Sequence, residues 1–447
     1  MLMIHDYQIL KRDADGFANA PLGGTFPEGT PPGAVAYSAV FLEENNQLVV
    51  PWTCCEQSGD GWRTTLRLFQ GGLYRIEVRA AEHWDSIEWS PVVALVHHVG
   101  VGELYLLAGQ SNMSGYGRDF AYDPPELGIH MYGNDGQWKL AVHPLNNSLN
   151  TIYPENKELT CGTSPALSFA RAVKRFMKVP VGLIPAALGG SSLALWHPLE
   201  DGRLYRGMVR RLLQTGPVSG VLWYQGCSDA NEKNAGGYLE RFVSMVDLWR
   251  AELGEIPIVT VQLNRCTQGK GSDANRAWAM VREAQRQAAR RLFGLYVVPA
   301  NDLAMSDFIH NSSGANVILG ERMALALKAG QGAPSAALFP DVEYAELVSD
   351  TRVRIGIRNG HPMRVTDEGG ADFTVEDQSG LISCVAVQAG DDSVTLLLGR
   401  PVTLPAFVHG GWRCDHIWGM PRALNGCPLL SFYQLPVRLG KCERENA

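Results

Sequence analysis

The chain has 447 residues, 45% of them hydrophobic and 19% charged, a balance that describes a folded globular protein rather than a disordered one. That length exceeds one ordinary core and predicts two or three domains. A formal net charge of −7 argues against nucleic acid or an anionic membrane surface as partner, and no run approaches the length of a transmembrane helix.

Residues 1–99 are rich in short alternating segments, at 7–10, 64–69, 74–79 and 91–97, with Pro and Gly clustered between them, as in GGTFPEGTPPGA at 23–34. Short strands without a helical period predict an all-β, sandwich-like module. The amino terminus lacks a basic start, a long apolar segment and a small-residue cleavage site. It therefore predicts a cytoplasmic protein, or an extracytoplasmic one if a leader has been removed.

From Gly102 the pattern becomes strand and helix in alternation. Apolar runs at 104–108, 181–185, 218–224, 257–263 and 295–300 predict five strands. Helices are predicted at 204–214, 238–253, 273–292 and 315–329, with a further one opening at Ser164-Pro165 on an N-cap followed by proline. The expected result is a five-stranded parallel sheet flanked by helices on both faces, over residues 100–335. The irregular stretch 114–162 is long enough to wrap over a functional face. After Gly330 the sequence GQGAPSAALFP reads as a linker, and strand-like runs at 352–357, 393–398 and 402–409 predict a second all-β module over 336–447.

Nine cysteines (54, 55, 161, 227, 266, 384, 414, 427 and 442) are scattered without a Cys-x-x-Cys, so neither a disulfide framework nor a zinc ribbon is suggested. Cys414, His416 and His409 match no common metal spacing and read as structural. No P-loop, dinucleotide-binding glycine motif or His-Glu-x-x-His occurs, so neither metal nor cofactor is expected.

In an open α/β sheet ligands bind at the carboxyl ends of the strands, and the residues expected there form a consistent set. Ser111 follows the strand at 104–108, and a glycine-rich turn with Gly189 and Gly190 follows 181–185. Gln225 follows 218–224, and Asp307 and His310 follow 295–300. Acyl transfer needs such groups: a serine hydroxyl, a histidine base, a carboxylate to orient it, and N–H donors for the oxyanion. Each residue alone reads equally as a turn, cap or surface residue; the set together points to an esterase.

The blocks LLAGQSNM, ALGGSSLALW, LWYQGCSDA and DFIH followed by LGERMALAL resemble, in order, those of the SGNH-hydrolase superfamily. The resemblance is to its sialate O-acetylesterase and acetylxylan-esterase-like branch, over roughly 102–330. It extends to a closing motif, GMPRALNGCPLLSF, in the C-terminal module. It implies an α/β fold of SGNH type and a carbohydrate deacetylase in which Ser111 is the nucleophile, His310 the base and Asp307 the acid. The oxyanion and substrate-binding positions would be Gly189, Gly190, Gln225, Gln110, Asn112 and Trp196. Trp223 and Tyr224 are further candidates for stacking on sugar. The partner implied is an acetylated carbohydrate, with a homo-oligomer left open. Cys227 stands where this branch commonly carries glutamate. A carbohydrate-binding protein on a weakened esterase domain, and a lipase or thioesterase on the same fold, are the alternatives.

Overall fold

The computed structural model describes residues 4–59, 61–158, 161–269, 271–330, 339–359, 362–365, 372–416 and 420–440. Most of the predicted linker, Gly419 of the closing motif and Cys442 lie outside these residues.

The chain is organised around one long strand, Val92–Gly109. Its first half is antiparallel to Gly71–Ala81, and Ile9–Lys11 lies parallel to its middle. Its second half is parallel to Val181–Pro185 on one side and Gly220–Tyr224 on the other. Residues 99 and 100 therefore sit inside a continuous strand shared by the N-terminal module and the central sheet. Phe17–Thr25, Gly61–Phe69 and Glu56–Ser58 form a second, three-stranded sheet. Leu22, Trp62 and Leu66 of that sheet pack with Val40, Ile76 and Val99 of the first in one apolar core. The alternation of buried and exposed residues expected of a sandwich is thus realised.

The central sheet runs Trp138–Leu140, Ile129–Tyr132, Val181–Pro185, Val92–Gly109, Gly220–Tyr224, Ile258–Val261, Leu295–Val298. All five predicted strands are present and parallel. The stretch 114–162 adds two more, Ile129–Tyr132 parallel to Val181–Pro185 and Trp138–Leu140 as an antiparallel edge. The five-strand expectation is corrected to six parallel strands and one antiparallel. These two additions are only four and three residues long, too short to show a period.

The inner strands are buried throughout, and apolar but for Thr260, because helices cover the sheet. Ala166–Met177 packs on Ser313–Gly330, and Tyr238–Leu253 packs on Ser272–Arg291. Beyond them lies a closed seven-stranded barrel running from Asp341–Ser349 to Phe432–Leu439. Its strand Phe407–Gly410 is shorter than the 402–409 run predicted, since Pro405 interrupts it.

Candidate active site

The strand Val92–Gly109 ends on a glycine because nothing else fits. Gly109 has φ 128°, and a Cβ there would lie 2.3 Å from the carbonyl oxygen of Tyr224. This close approach lets the Gln110 N–H donate to the same carbonyl at 2.8 Å. The chain then turns at once into the short helix Ser111–Ser114. Ser111 thus opens a helix at the carboxyl end of the central strand. Among the described residues its N–H donates to no backbone or side-chain acceptor.

His310 arrives from 199 residues further on, with its Nε2 2.8 Å from Ser111 Oγ. Its Nδ1 is 2.7 Å from Asp307 Oδ2, while Asp307 Oδ1 accepts the backbone N–H groups of Ile309 and His310 at 2.9 Å each. Burial pushes the Asp307 carboxyl up, but the imidazole and the two N–H donors outweigh it and hold it below its usual range. An ionised Asp307 fixes the proton on Nδ1, so Nε2 is bare and the Ser111 hydroxyl donates to it.

Asn112 anchors the loop bearing His310. Its Oδ1 accepts the Asn311 N–H at 3.0 Å and its Nδ2 donates to Ile309 O at 3.2 Å, so it holds the backbone on both sides of the histidine. Asn264 reinforces this, donating to Ile309 O and to Asn311 Oδ1. Asn112 is accordingly a positioning residue rather than an oxyanion donor. Gln110 is similar: its Oε1 accepts the N–H groups of Gly226 and Ser228, tying the end of Val92–Gly109 to the turn after Gly220–Tyr224.

Two assignments are corrected. Gln225 donates through Nε2 to Asp229 Oδ2 (2.6 Å) and Ser191 O (3.1 Å), and its Oε1 accepts from the Tyr238 hydroxyl. Both amide protons of this fully buried side chain are engaged, so it cannot serve as oxyanion donor in this arrangement. Trp196 is also fully buried, packed edge-on against Trp223 and donating to Ser191 Oγ. With Trp223 and Tyr224 equally buried, none of the three can stack on a sugar.

The glycine turn carries one more surprise. The Gly189 N–H donates to Glu158 Oε1 at 3.0 Å, and the Tyr116 hydroxyl donates to the same oxygen at 2.6 Å. Asn146 Nδ2 holds the other oxygen. Tyr116 in turn stacks on the His310 ring, centroids 4.6 Å apart and planes 30° from parallel. Gly190 is exposed, with φ 69° and open space where a Cβ would stand. Sequence reasoning missed Tyr116, Asn146, Glu158, Asn264 and Asn311. Tyr116 stands three residues past the block that carries Ser111, and Glu158 lies later in the same irregular stretch, where no periodicity marks it.

Cys227 is packed where burial, and secondarily Cys266, push its thiol up to about 12. It is protonated at neutral pH. Among the described residues all eight cysteines are free, and no group of three or more His, Cys, Asp or Glu is placed to hold a metal.

A doubly flanked parallel sheet with a serine, histidine and aspartate linked at its strand ends is the arrangement of a serine hydrolase, and it fits the SGNH type. The family model described as carbohydrate esterase, sialic acid-specific acetylesterase, matches residues 101–329, just over half the chain, and the protein belongs to that family. It is 30% identical over 253 residues to a probable carbohydrate esterase of Arabidopsis thaliana, covering 50% of this chain and 89% of that one. The structure of a carbohydrate acetylesterase from Xanthomonas citri shares the fold at TM-score 0.67 and 21% identity, over 96% of this chain and 98% of that one. The protein is a carbohydrate O-acetylesterase.

Proposed function

We propose that the enzyme removes O-acetyl groups from a sialic acid or a plant-type oligo- or polysaccharide through an acetyl-enzyme on Ser111. The observation that carries this reading is the unbroken hydrogen-bonded series Asp307–His310–Ser111. Ser111 Oγ attacks the acetyl carbonyl carbon while its proton passes to His310 Nε2. The imidazolium formed is stabilised by Asp307 and by the π face of Tyr116. His310 then returns the proton to the departing sugar oxygen, and water, deprotonated by the same nitrogen, releases acetate.

The oxyanion falls to the backbone N–H of Ser111, the first residue of its short helix, which donates to no acceptor among the described residues. Gly190, whose N–H donates to no backbone or side-chain acceptor among the described residues, is the second candidate. The Gly189 N–H is engaged by Glu158 Oε1 and so is not available to the oxyanion in this arrangement. Ser111→Ala should lower acetate release by about 1,000-fold or more while folding normally. Near wild-type turnover in that variant overturns the proposal.

A further inference from the structure

The segment 118–123 crosses the rim of this site and is held at both ends. The Arg118 N–H donates to Ser306 Oγ at 3.1 Å, and Asp119 Oδ1 accepts the Ser313 N–H at 2.8 Å, both on the stretch that carries His310. At the far end Asp123 accepts from Arg171 Nη1 at 2.7 Å and lies 2.9 Å from His143 Nε2. Between these anchors Phe120 and Tyr122 stand 93% and 82% exposed. Phe308, two residues before His310, is 42% exposed.

Aromatic side chains ordinarily bury most of their surface, and several left bare on fixed backbone beside a catalytic histidine mark a surface that something covers. The segment is joined to the site at its first residue. The Arg118 guanidinium lies 5.3 Å from the centre of the Tyr116 ring, and that ring stacks on His310.

We infer that Phe120, Tyr122 and Phe308 form a platform for the sugar rings flanking the acetylated residue, so that the enzyme takes a carbohydrate chain rather than a single sugar. This rests on the acetylesterase reading of Ser111. A pyranose offers an apolar C–H face and a hydroxyl edge. An exposed aromatic ring covers the first and leaves the second in water, which matches side chains that have no buried polar partner to offer. The stacking surfaces expected of Trp196, Trp223 and Tyr224 are thereby moved from the core to the rim.

The test compares kcat/KM for short O-acetylated oligosaccharides of xylan, mannan and sialic acid with that for the matching acetylated monosaccharides and nitrophenyl acetate. For whichever sugar is turned over fastest, the wild type should favour the chain over its monosaccharide by about tenfold or more. The double variant Phe120→Ala/Tyr122→Ala should lose most of that preference through KM, and Phe120→Tyr should keep it. Both side chains are exposed, so folding is not at stake, and a thermal melt checks it. No chain preference in the wild type, or one unchanged in the double variant, overturns the inference. A double variant that loses self-association in sedimentation yet keeps its preference overturns it in favour of a contact between copies. Nitrophenyl acetate turnover, abolished by Ser111→Ala, reports separately on the esterase reading.

Discussion

At the scale of single residues, hydrogen-bond inventories separate those that meet the substrate from those that hold them in place. Gln225 is the clearest case. Its amide donates to Oδ2 of the fully buried Asp229, as the Leu193 N–H does, and removing it leaves that buried oxygen short of a donor. Gln225→Ala should therefore lower stability by about 3 kcal/mol in denaturant unfolding. An oxyanion donor would instead leave stability intact and lower turnover alone. Asp307 gives a second expectation, for pH. Its carboxyl is lowered in the folded protein, so its ionised form adds stability that is present above the ordinary aspartate value of about 4 and is lost as pH falls through the depressed one. Asp307 accordingly stays ionised above its depressed value, and the acid limb of kcat/KM should have the slope of one group. A two-proton limb would place the carboxyl in the working range and contradict the assignment.

At the scale of elements, the site depends on where strands stop. The backbone at Gly109 passes so close to Tyr224 that the strand Val92–Gly109 can end, turn and present Ser111 within two residues. Gly109→Ala combines a forbidden approach with a φ that L residues rarely adopt, and should cost about 3 kcal/mol or more, read from thermal unfolding, with loss of esterase activity. An active, fully stable variant would show that the turn tolerates rearrangement. The strands and helices that set this geometry were legible in the sequence, the strands as apolar runs and the helices by their period. Tyr238–Leu253 falls where its apolar stripe puts it. The serine, histidine and aspartate were legible for a related reason: each follows a recognisable strand in a recognisable block. What escaped prediction depends on side-chain direction. Whether Gln225 points to the serine or to Asp229, and whether Trp196 faces sugar or Trp249, is decided by packing that no local pattern encodes.

At the scale of the whole molecule, the accessory modules are built into the esterase. The N-terminal sheet shares its longest strand with the central one. The C-terminal barrel is tied on by Arg282, whose guanidinium donates to Leu263, Asn264, Gly411 and Arg413 carbonyls, and by Asp341, which pairs with Arg286 and Arg290. Cys414, read from sequence as structural, lies at this seam, where its carbonyl accepts the Cys266 N–H. Thr267, next to Cys266, donates to Phe308 O on the loop that carries His310. The same long stretch that adds two strands to the sheet also delivers Glu158 to the glycine turn, so sheet edge and site rim come from one insertion. The account's central claim is that all this scaffolding presents Ser111, and not Cys227, as the acylated group. Acid-quenched turnover of a slowly released ester, followed by peptide mass mapping, tests it most directly. The account predicts one acyl group on the peptide carrying Ser111, absent from Ser111→Ala and unchanged in Cys227→Ser. An acyl group on Cys227, or its persistence in Ser111→Ala, would contradict it.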